Sequence, residues 1–329
     1  MRAFVIEHDG DDVRAGVTDV DADAYLVDGD VEVAVEWSCL NFKDAMAVRP
    51  RSPVARRSPL IGGVDAAGVV CASTSQLLEV GQRVVAHGHG LGTSHHGGFA
   101  PRLRCDGSWL TVLPDRMGPR TAMVFGTAGY TAMASVLALE HAGVAPASGE
   151  VLVTGASGGV GSVAVALLAA RGFDVTAMTG KPDEHEPLVA LGAARVIGRD
   201  GLDDRPDRVL GAERFAGAVD CVGGATLGGI LRVVRWGGAV AASGLVGGAT
   251  LETTVYPFIT RNVALLGIDS VAAPASVRES VWHELQGALD AATIEALVAQ
   301  EVGLQGIAAG LATLERGEAR RRILVDPAR

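Results

Sequence analysis

Four of the chain's eight histidines lie within ten consecutive positions, in the stretch HGHGLGTSHH. They are His87, His89, His95 and His96. Imidazole is a common ligand of zinc and other transition metals, so histidines this dense raise the hypothesis of a metal site. The four cysteines add no support, because they lie far apart and form no Cys-x-x-Cys pair. The hypothesis therefore depends on whether metal ligands stand elsewhere in the chain.

A glycine-rich loop, GASGGVG, runs from residue 155 to residue 161. It follows the apolar run VLVT, which predicts a buried strand, and precedes VAVALLAARG, which predicts a helix ending at Gly172. Small residues there let the backbone approach a pyrophosphate, whose charge the free N–H groups of the helix start can hold. A tight turn without a ligand is the alternative. The pattern favours a dinucleotide site that includes Ser157, Gly158, Gly159 and Val160.

The second strand of this unit ends in Met178, Thr179, Gly180 and Lys181. An NAD-preferring site would place Asp or Glu there to bind the ribose hydroxyls, and this stretch has no carboxylate. A hydroxyl, a glycine and a cation suit a 2′-phosphate instead, so the sequence predicts NADPH as cofactor. Arg199, after the third strand, is a candidate second contact. The alternative for Lys181 is the charge of a solvated loop.

The elements that position these residues change in character along the chain. Roughly the first 120 residues have alternating or β-branched runs punctuated by Gly and Pro, such as VEVAVEW at 31–37, and they predict a β-rich domain. From about residue 125, strands alternate with helices, which predicts an α/β domain with a doubly wound parallel sheet. SVRESVWHELQGALD predicts an amphipathic helix. The tail RRILVDP predicts a strand that returns to the first domain.

Bulk composition limits the classes of function. A chain of 329 residues with 48% hydrophobic residues fits two folded domains. A net charge of −10 argues against nucleic acid as the main partner. The N-terminal stretch turns acidic too early for a signal peptide, and the uncharged run 151–170 contains the glycine turn described above. We therefore predict a cytoplasmic protein without a membrane segment.

Several stretches together resemble the acrylyl-CoA reductase family (YhdH/AcuI type) of the medium-chain dehydrogenase/reductase superfamily. They are SCLNFKDA, GGVDAAG, SHHGGFA, GTAGYTAM, VTGASGGVGS, DCVGG, SGLVGG and PFITRNVALLGIDSV. The resemblance implies a GroES-like catalytic domain over 1–124, completed by 297–329, and a Rossmann NADPH-binding domain over 125–296. It also implies a homodimer, for which VALLGIDSV offers an apolar strand that can pair across a two-fold axis.

The same resemblance bears on the metal hypothesis. Zinc alcohol dehydrogenases of the superfamily carry a cysteine and a Gly-His-Glu motif around their catalytic metal, and the matching positions here are Asn41 and Val64-Asp65. Valine cannot ligate zinc and asparagine does so poorly, so we predict an enzyme that uses no metal. The histidine stretch then resembles a loop near the active-site cleft, in which His95 matches the family's histidine.

The resemblance implies transfer of a hydride from NADPH to the β-carbon of acryloyl-CoA, giving propanoyl-CoA. Asn41 and Asp44 match cleft residues that orient and hydrogen-bond the substrate, with helix capping or loop bracing as the alternative. Phe42 stands where the family has tyrosine, so it can line the nicotinamide pocket but donate no proton, and water or a loop histidine becomes the proton source. The remaining cofactor contacts implied are Thr127, Leu245, Ile259 and Arg322. The alternative for Thr127 is helix capping. The alternative for Arg322, which lies in a run of three arginines, is a position on the protein surface.

A CoA substrate also needs cations for its phosphates. The stretch RPRSPVARR contains four arginines and no acid, so its members are candidate anchors: Arg49, Arg51, Arg56 and Arg57. A solvated loop is the alternative. Two other functions stay open at this point. One is reduction of quinones or enones by an enzyme of the same superfamily, and the other is NADPH binding without turnover, in a sensor or structural protein.

Overall fold

The structure, a computed structural model, describes residues 1–202 and 208–329. The chain divides into two compact units. Unit 1 comprises Met1–Thr127, Ser270–Gly287 and Leu297–Arg329, and unit 2 comprises Ala128–Asp269 and Ala288–Ala296.

The strands and helices follow one another along the described chain. The strands are β1 (Arg2–Asp9), β2 (Asp12–Asp19), β3 (Val31–Cys39), β4 (Leu60–Ile61), β5 (Asp65–Ser73), β6 (Arg83–His87), β7 (Arg102–Cys105), β8 (Leu110–Val112), β9 (Val151–Thr154), β10 (Val175–Met178), β11 (Arg195–Ile197), β12 (Phe215–Asp220), β13 (Val234–Ala242), β14 (Ala264–Gly267), β15 (Val298–Gly303) and β16 (Arg322–Asp326). The helices are α1 (Ala22–Tyr25), α2 (Phe42–Ala47), α3 (Pro119–His141), α4 (Gly159–Ala170), α5 (His185–Ala190), α6 (Gly224–Val233), α7 (Tyr256–Arg261), α8 (Ala275–Leu285), α9 (Ala291–Ala296) and α10 (Ile307–Glu315).

Unit 2 is built on a six-stranded parallel sheet in the order β11-β10-β9-β12-β13-β14. The central strands β9 and β12 are buried along their whole length, because each presents an apolar run on both faces. Strand order reverses between β9 and β12, where doubly wound sheets bind nucleotides at the carboxyl ends of the strands. The predicted doubly wound parallel sheet is confirmed.

Unit 1 contains two sheets. Strands β2, β1 and β4 form an antiparallel sheet of three. A larger sheet has the order β15-β16-β3-β5-β6-β8, and β7 also pairs with β3. Strand β16 runs antiparallel to β3, with Leu324 opposite Cys39. This register brings the start of β16 alongside the residues that follow β3, and it assigns the C-terminal strand to unit 1.

The segment Ser270–Gly287 belongs to unit 1, whereas the sequence placed it within the cofactor domain. The reason lies in helix α8, whose Arg278 and Trp282 both contact His87 of β6. Nη1 of Arg278 donates to the backbone oxygen of His87 (2.9 Å), and Nε1 of Trp282 donates to its Nε2 (3.1 Å). All three side chains are buried. Such contacts between buried residues far apart in sequence are invisible to helix periodicity.

Helix α3 is the one helix in the described residues that is long and apolar enough to cross a membrane by length and composition. Of its most apolar window, 78% is buried inside the structure, as in a helix of a protein core. The helix is also interrupted at Gly126, which has φ 51° and ψ −156°. This interruption belongs to the site described next.

Candidate functional site

The turn from β3 into α2 carries two of the residues predicted for catalysis. Asp44 is almost completely buried, and its carboxylate accepts the backbone N–H of Asn41 (2.8 Å) and that of Val64 (2.9 Å). Burial raises the pKa of Asp44 to about 7, against the lowering effect of those two N–H donors. Asp44 therefore ties the start of α2 to the residue before β5, which is the loop-bracing alternative of the sequence analysis.

Asp65, the first residue of β5, is the centre of a buried hydrogen-bond network. Its Oδ2 accepts from Sγ of Cys39 (3.1 Å), Nδ2 of Asn41 (2.8 Å) and the backbone N–H of Thr127 (2.9 Å). Its Oδ1 accepts from Oγ1 of Thr127 (2.5 Å). Asp65 has no measurable solvent exposure, so these four donors replace the water that a carboxylate otherwise binds.

Arg322 approaches the same network from β16. It is 2% exposed, so the surface position considered for it is wrong. Its Nη2 donates to Sγ of Cys39 (2.9 Å), and its Nε donates to the backbone oxygen of Val124 (2.9 Å). Burial, together with the neighbouring charge of Asp65, raises the pKa of the Cys39 thiol well above its usual value. Cys39 therefore stays protonated and donates to the carboxylate.

The side-chain amide of Asn41 lies between these two charged groups. Nδ2 donates to Asp65 (2.8 Å), and Oδ1 lies 3.5 Å from Nη1 of Arg322. A carboxylate only accepts hydrogen bonds and a guanidinium only donates them, so one orientation of the amide satisfies both neighbours. Asn41 is 9% exposed.

Gly126 makes room for the network. A Cβ atom at this position would lie 2.6 Å from Oδ2 of Asp65 and 2.7 Å from Sγ of Cys39. Its φ of 51° also belongs to the left-handed region that favours glycine. The interruption starts a new run of helix at Thr127, whose N–H and hydroxyl both bind Asp65. The contacts of Thr127 therefore match the helix-capping alternative, and Asp65 is the residue that accepts both hydrogen bonds.

The histidine stretch also lies in unit 1, and its members do different things. His95 donates from Nδ1 to the backbone oxygen of His96 (2.8 Å), because a carbonyl can only accept. His96 accepts the N–H of Ile61 at Nδ1 (3.0 Å), and His89 stacks on Trp109 at 5.5 Å between ring centroids. Within residues 1–202 and 208–329, no three His, Cys, Asp or Glu side chains are grouped so that they could hold a metal ion.

Two glycines that directly follow this stretch allow it to pack closely against neighbouring backbone. A Cβ at Gly97 or Gly98 would come within 2.1 Å of the backbone oxygens of Gly63 and Asp65 respectively. The stretch therefore packs directly against the backbone at the start of β5.

Three of the four candidate CoA-binding arginines already contact carboxylates of unit 1. Arg49 pairs with Glu315 (2.8 Å) and also lies over the ring of Phe42, 5.4 Å from its centroid. Arg51 pairs with Asp11, and Arg57 with Asp28 (3.0 Å). Arg56 is exposed and has no carboxylate within 4.0 Å among the described residues. Exposed pairs of this kind contribute little energy, so a phosphate can compete for the three paired arginines.

In unit 2 the glycine-rich loop joins β9 to α4, as the sequence predicted. Gly155 has φ 59°, and α4 begins at Gly159. Oγ of Ser157 lies 3.0 Å from Oγ1 of Thr179, which also accepts the N–H of Lys181 (3.2 Å). These contacts bind the loop after β9 to the loop after β10.

Arg199 lies on the same edge of the sheet. A Cβ added to Gly180 would be 2.5 Å from Nε of Arg199, so the absence of a side chain lets the guanidinium rest on the backbone there. The structure thus brings Ser157, Thr179, Gly180 and Arg199 together. Leu245 and Ile259 are exposed on unit 2, at 51% and 71%.

Two family models match this chain. The alcohol dehydrogenase GroES-like domain matches residues 27–115, and the zinc-binding dehydrogenase model matches residues 159–287. Among curated proteins, the chain is 46% identical to a probable acrylyl-CoA reductase AcuI of Escherichia coli over 87% of each chain. It is 42% identical to the acrylyl-CoA reductase AcuI of Ruegeria pomeroyi over 91% of this chain and 90% of that protein. The chain belongs to the acrylyl-CoA reductase family of the medium-chain dehydrogenase/reductase superfamily.

Further proteins are similar to this chain over nearly its whole length. A putative quinone oxidoreductase, YhfP of Bacillus subtilis, is 40% identical over 99% of this chain and 98% of its own. A solved structure of the YhdH oxidoreductase of Salmonella enterica in complex with NADP matches with a TM-score of 0.95 and 42% identity, covering 99% of both chains. The structure of B. subtilis YhfP with NAD bound matches with a TM-score of 0.95, covering 99% of this chain and 98% of that one.

Sequence reasoning missed the centre of this family member's network. Asp65 was noticed only as the residue beside a lost metal ligand, and Cys39 and Gly126 were given no role. One signal was available: an acidic residue opens the apolar strand DAAGVV, where a buried charge requires partners. Asp220, which ends β12 in unit 2, was missed in the same way. Its carboxylate accepts from Oγ1 of Thr154 (2.6 Å) and from the N–H of Gly223 (2.8 Å).

Proposed function

We propose that this enzyme uses NADPH to reduce the α,β-double bond of a small 2-enoyl-CoA, with acryloyl-CoA as substrate and propanoyl-CoA as product. The observation that carries the proposal is the fixed amide of Asn41, held between Asp65 and Arg322 in a chain closely related to proteins named acrylyl-CoA reductase. The enzyme is an NADPH-dependent oxidoreductase, in keeping with the NADP-bound relative.

Unit 2 supplies residues that fit the cofactor. The loop after β9 offers free N–H groups at the start of α4, which suit a pyrophosphate. Thr179, Lys181 and Arg199 combine a hydroxyl with two cations, which suits a 2′-phosphate, and no carboxylate stands in the stretch MTGK. Leu245, Ile259 and Thr127 remain proposed contacts from the family resemblance alone.

The residues of unit 1 act on the substrate carbonyl. Bound NADPH supplies a hydride, which forms the new C–H bond at the β-carbon while the electron pair of the double bond moves toward the thioester oxygen. One N–H of the Asn41 amide donates to Asp65, and the second, whose contact with the backbone oxygen of Cys39 is long (3.4 Å), hydrogen-bonds to the thioester oxygen as negative charge grows on it. A proton then reaches the α-carbon from water or from His95. The Nδ1–H of His95 donates to the backbone oxygen of His96, so Nε2 is the ring nitrogen that is proposed to face the substrate.

The arginine stretch is proposed to bind the phosphates of CoA. Arg56 is the exposed member without a carboxylate partner in the described chain, so it is the first candidate for such a contact. Arg49 lies over Phe42 and joins the stretch to the start of α2.

A second candidate function is reduction of quinones or enones, which the name of the relative YhfP favours. Such substrates carry no CoA and would not need the arginines. Steady-state kinetics with NADPH and acryloyl-CoA, crotonoyl-CoA or a quinone separate the two. A higher kcat/KM for the acyl-CoA substrates supports the proposal, and a higher value for the quinone contradicts it.

Neutralising the arginines sharpens this test. Arg56→Ala and Arg57→Ala should raise KM for acryloyl-CoA and leave KM for a quinone unchanged. The matched control is Arg83→Ala, at a half-buried arginine outside the stretch that donates to the backbone oxygen of Asp115. The proposed enzyme is a homodimer in the cytoplasm.

A further inference from the structure

We propose that Asp65 is a positioning residue for the reduction, acting through Asn41. It holds the amide of Asn41 in the one orientation that serves the substrate, and it anchors the residue at which the interrupted helix α3 restarts. The inference rests on the proposed function, since Asn41 is the proposed substrate contact.

The direction of the Asn41 amide follows from the charges on its two sides. If the amide turned over, its oxygen would face the carboxylate of Asp65 and its nitrogen would face the guanidinium of Arg322. Each of those contacts would set two acceptors or two donors against each other within a buried site. Leaving buried charged groups without their hydrogen bonds is strongly unfavourable, so Asp65 and Arg322 exclude the turned orientation.

Asp65 also joins separate segments of unit 1. Its four donors come from Cys39 at the end of β3, from Asn41 before α2, and from Thr127 after the glycine interruption. A side chain that satisfies donors from three segments fixes their mutual distances. A shift in any one of them is transmitted to the amide of Asn41 through the shared carboxylate.

The charge of Asp65 is balanced by Arg322 through Cys39. The thiol donates to the carboxylate and accepts from the guanidinium, so it lies as a neutral link between the two charges. This arrangement gives each group a partner and needs no water. The matched control is Cys71→Ser, at the exposed cysteine of unit 1, which lies outside this network.

Asp65→Asn should disturb this geometry with little change of volume. One oxygen remains to accept from the hydroxyl of Thr127, but the new NH2 group would face three donors, which are Nδ2 of Asn41, the thiol of Cys39 and the backbone N–H of Thr127. The amide of Asn41 then loses its fixed direction. Misplacing a group that contacts the substrate by about 1 Å costs on the order of 100-fold in rate, so we expect kcat to fall about 10- to 100-fold. NADPH affinity should change much less than kcat, because Thr127 is the one proposed cofactor contact among the residues that donate to Asp65.

A double-mutant cycle tests whether Asp65 acts through Asn41. We would measure kcat for the full-length enzyme, Asp65→Asn, Asn41→Ala and the double variant, with the NADPH dissociation constant measured by fluorescence. If the proposal holds, Asp65→Asn changes kcat by less than about threefold once Asn41 is alanine, because coupled residues are not additive. Equal losses of kcat in both backgrounds would overturn it, since a residue that only supports the fold has no reason to lose its effect with Asn41.

Two further measurements keep the test decisive. If Asp65→Asn does not fold, Asp65→Glu enters the same cycle, because it keeps the charge and both acceptor oxygens and displaces them by one methylene. If the wild-type enzyme fails on acryloyl-CoA but reduces crotonoyl-CoA or a quinone, the cycle is run on that substrate, so failure of the proposed function and failure of this inference give different results. Cys71→Ser should retain the wild-type kcat, whereas Cys39→Ala should lower kcat, as Asp65→Asn does.

Discussion

At the scale of single residues, the positions that match zinc ligands belong to a buried hydrogen-bond network in this chain. The residues that match zinc-ligand positions are Asn41 and Val64, and neither has a charge to offer a cation. Asn41 instead binds Asp65 and Arg322, while the backbone N–H of Val64 binds Asp44. We therefore expect hydrogen-bond donors to polarise the substrate carbonyl, because such donors are effective where water is excluded.

Removal of metal should therefore leave activity unchanged. Prolonged dialysis against a strong chelator, followed by an NADPH-oxidation assay, should return the full rate because no step depends on a Lewis acid. A zinc alcohol dehydrogenase treated in parallel is the control and should lose its activity. Loss of activity that added zinc restores would contradict the prediction.

Lys181 should set the preference for NADPH over NADH. A charge-assisted hydrogen bond to the 2′-phosphate is worth roughly 1.5–3 kcal/mol, or about 10- to 150-fold in affinity. Lys181→Ala should weaken NADPH binding by that factor and leave NADH binding almost unchanged, as measured by fluorescence titration. The NAD-bound structure of the relative YhfP makes the NADH measurement an informative control. Equal losses for both cofactors would show that Lys181 does not contact the phosphate.

Phe42 tests the origin of the proton. If the family's tyrosine acts as the acid, Phe42→Tyr should raise kcat, because general acid catalysis contributes about 10²–10⁴-fold. We expect instead little change or a decrease, since Phe42 is half-buried beneath Arg49 and an added hydroxyl would need a new partner there. A gain of more than about tenfold in kcat on acryloyl-CoA, with unchanged NADPH affinity, would show that a tyrosine at this position supplies the proton.

At the scale of elements, the contact between β6 and α8 depends on a neutral histidine. Trp282 donates to Nε2 of His87, and that nitrogen must then be without a proton. Burial, reinforced by the charge of Arg278, lowers the pKa of His87 to about 4. The unfolded chain protonates this histidine near pH 6.5, so folding is progressively opposed as the pH falls below that value.

The free energy of unfolding should therefore decrease between about pH 6.5 and pH 4, and the contribution of His87 should level off below that range. The difference between the two pKa values corresponds to about 3 kcal/mol for this residue. His87→Gln should be less stable at neutral pH but should show a shallower loss toward acid in urea unfolding series. His283→Gln, at the end of α8, is the control and should keep the wild-type slope. An unchanged slope in His87→Gln would contradict the assignment.

The elements themselves were largely predictable, and the site only in part. Strand β3, the glycine-rich loop with α4, and the final strand follow from local periodicity and turn residues, which act over short stretches of sequence. The position of α8 does not, because its contacts with His87 join residues about 190 positions apart. The roles of Asp65 and Gly126 could not be predicted for the same reason, because their buried network is formed by segments that meet only in the folded chain.

At the scale of the whole molecule, the six-stranded sheet of unit 2 ends in a strand suited to pairing. Strand β14 is the last in the order, and its backbone pairs with β13. Leu265 in this strand is 37% exposed, and Val255 and Ile259 before it are exposed at 63% and 71%. An apolar terminal strand left in water invites association with another chain, and natural proteins usually protect such edges.

We therefore expect a homodimer in which β14 of one chain pairs with β14 of a second copy. Pairing identical strands across a two-fold axis is a closed arrangement that uses the β14 edge of both chains, so it gives a dimer. Light scattering at micromolar concentration should give twice the mass of 33.6 kDa. Leu265→Arg should shift the population toward monomer by placing like charges on both sides of the axis, whereas Val112→Arg, on an exposed strand of unit 1, should not. A monomeric wild-type protein at that concentration would refute the dimer, and a dimer unaffected by Leu265→Arg would place the interface elsewhere.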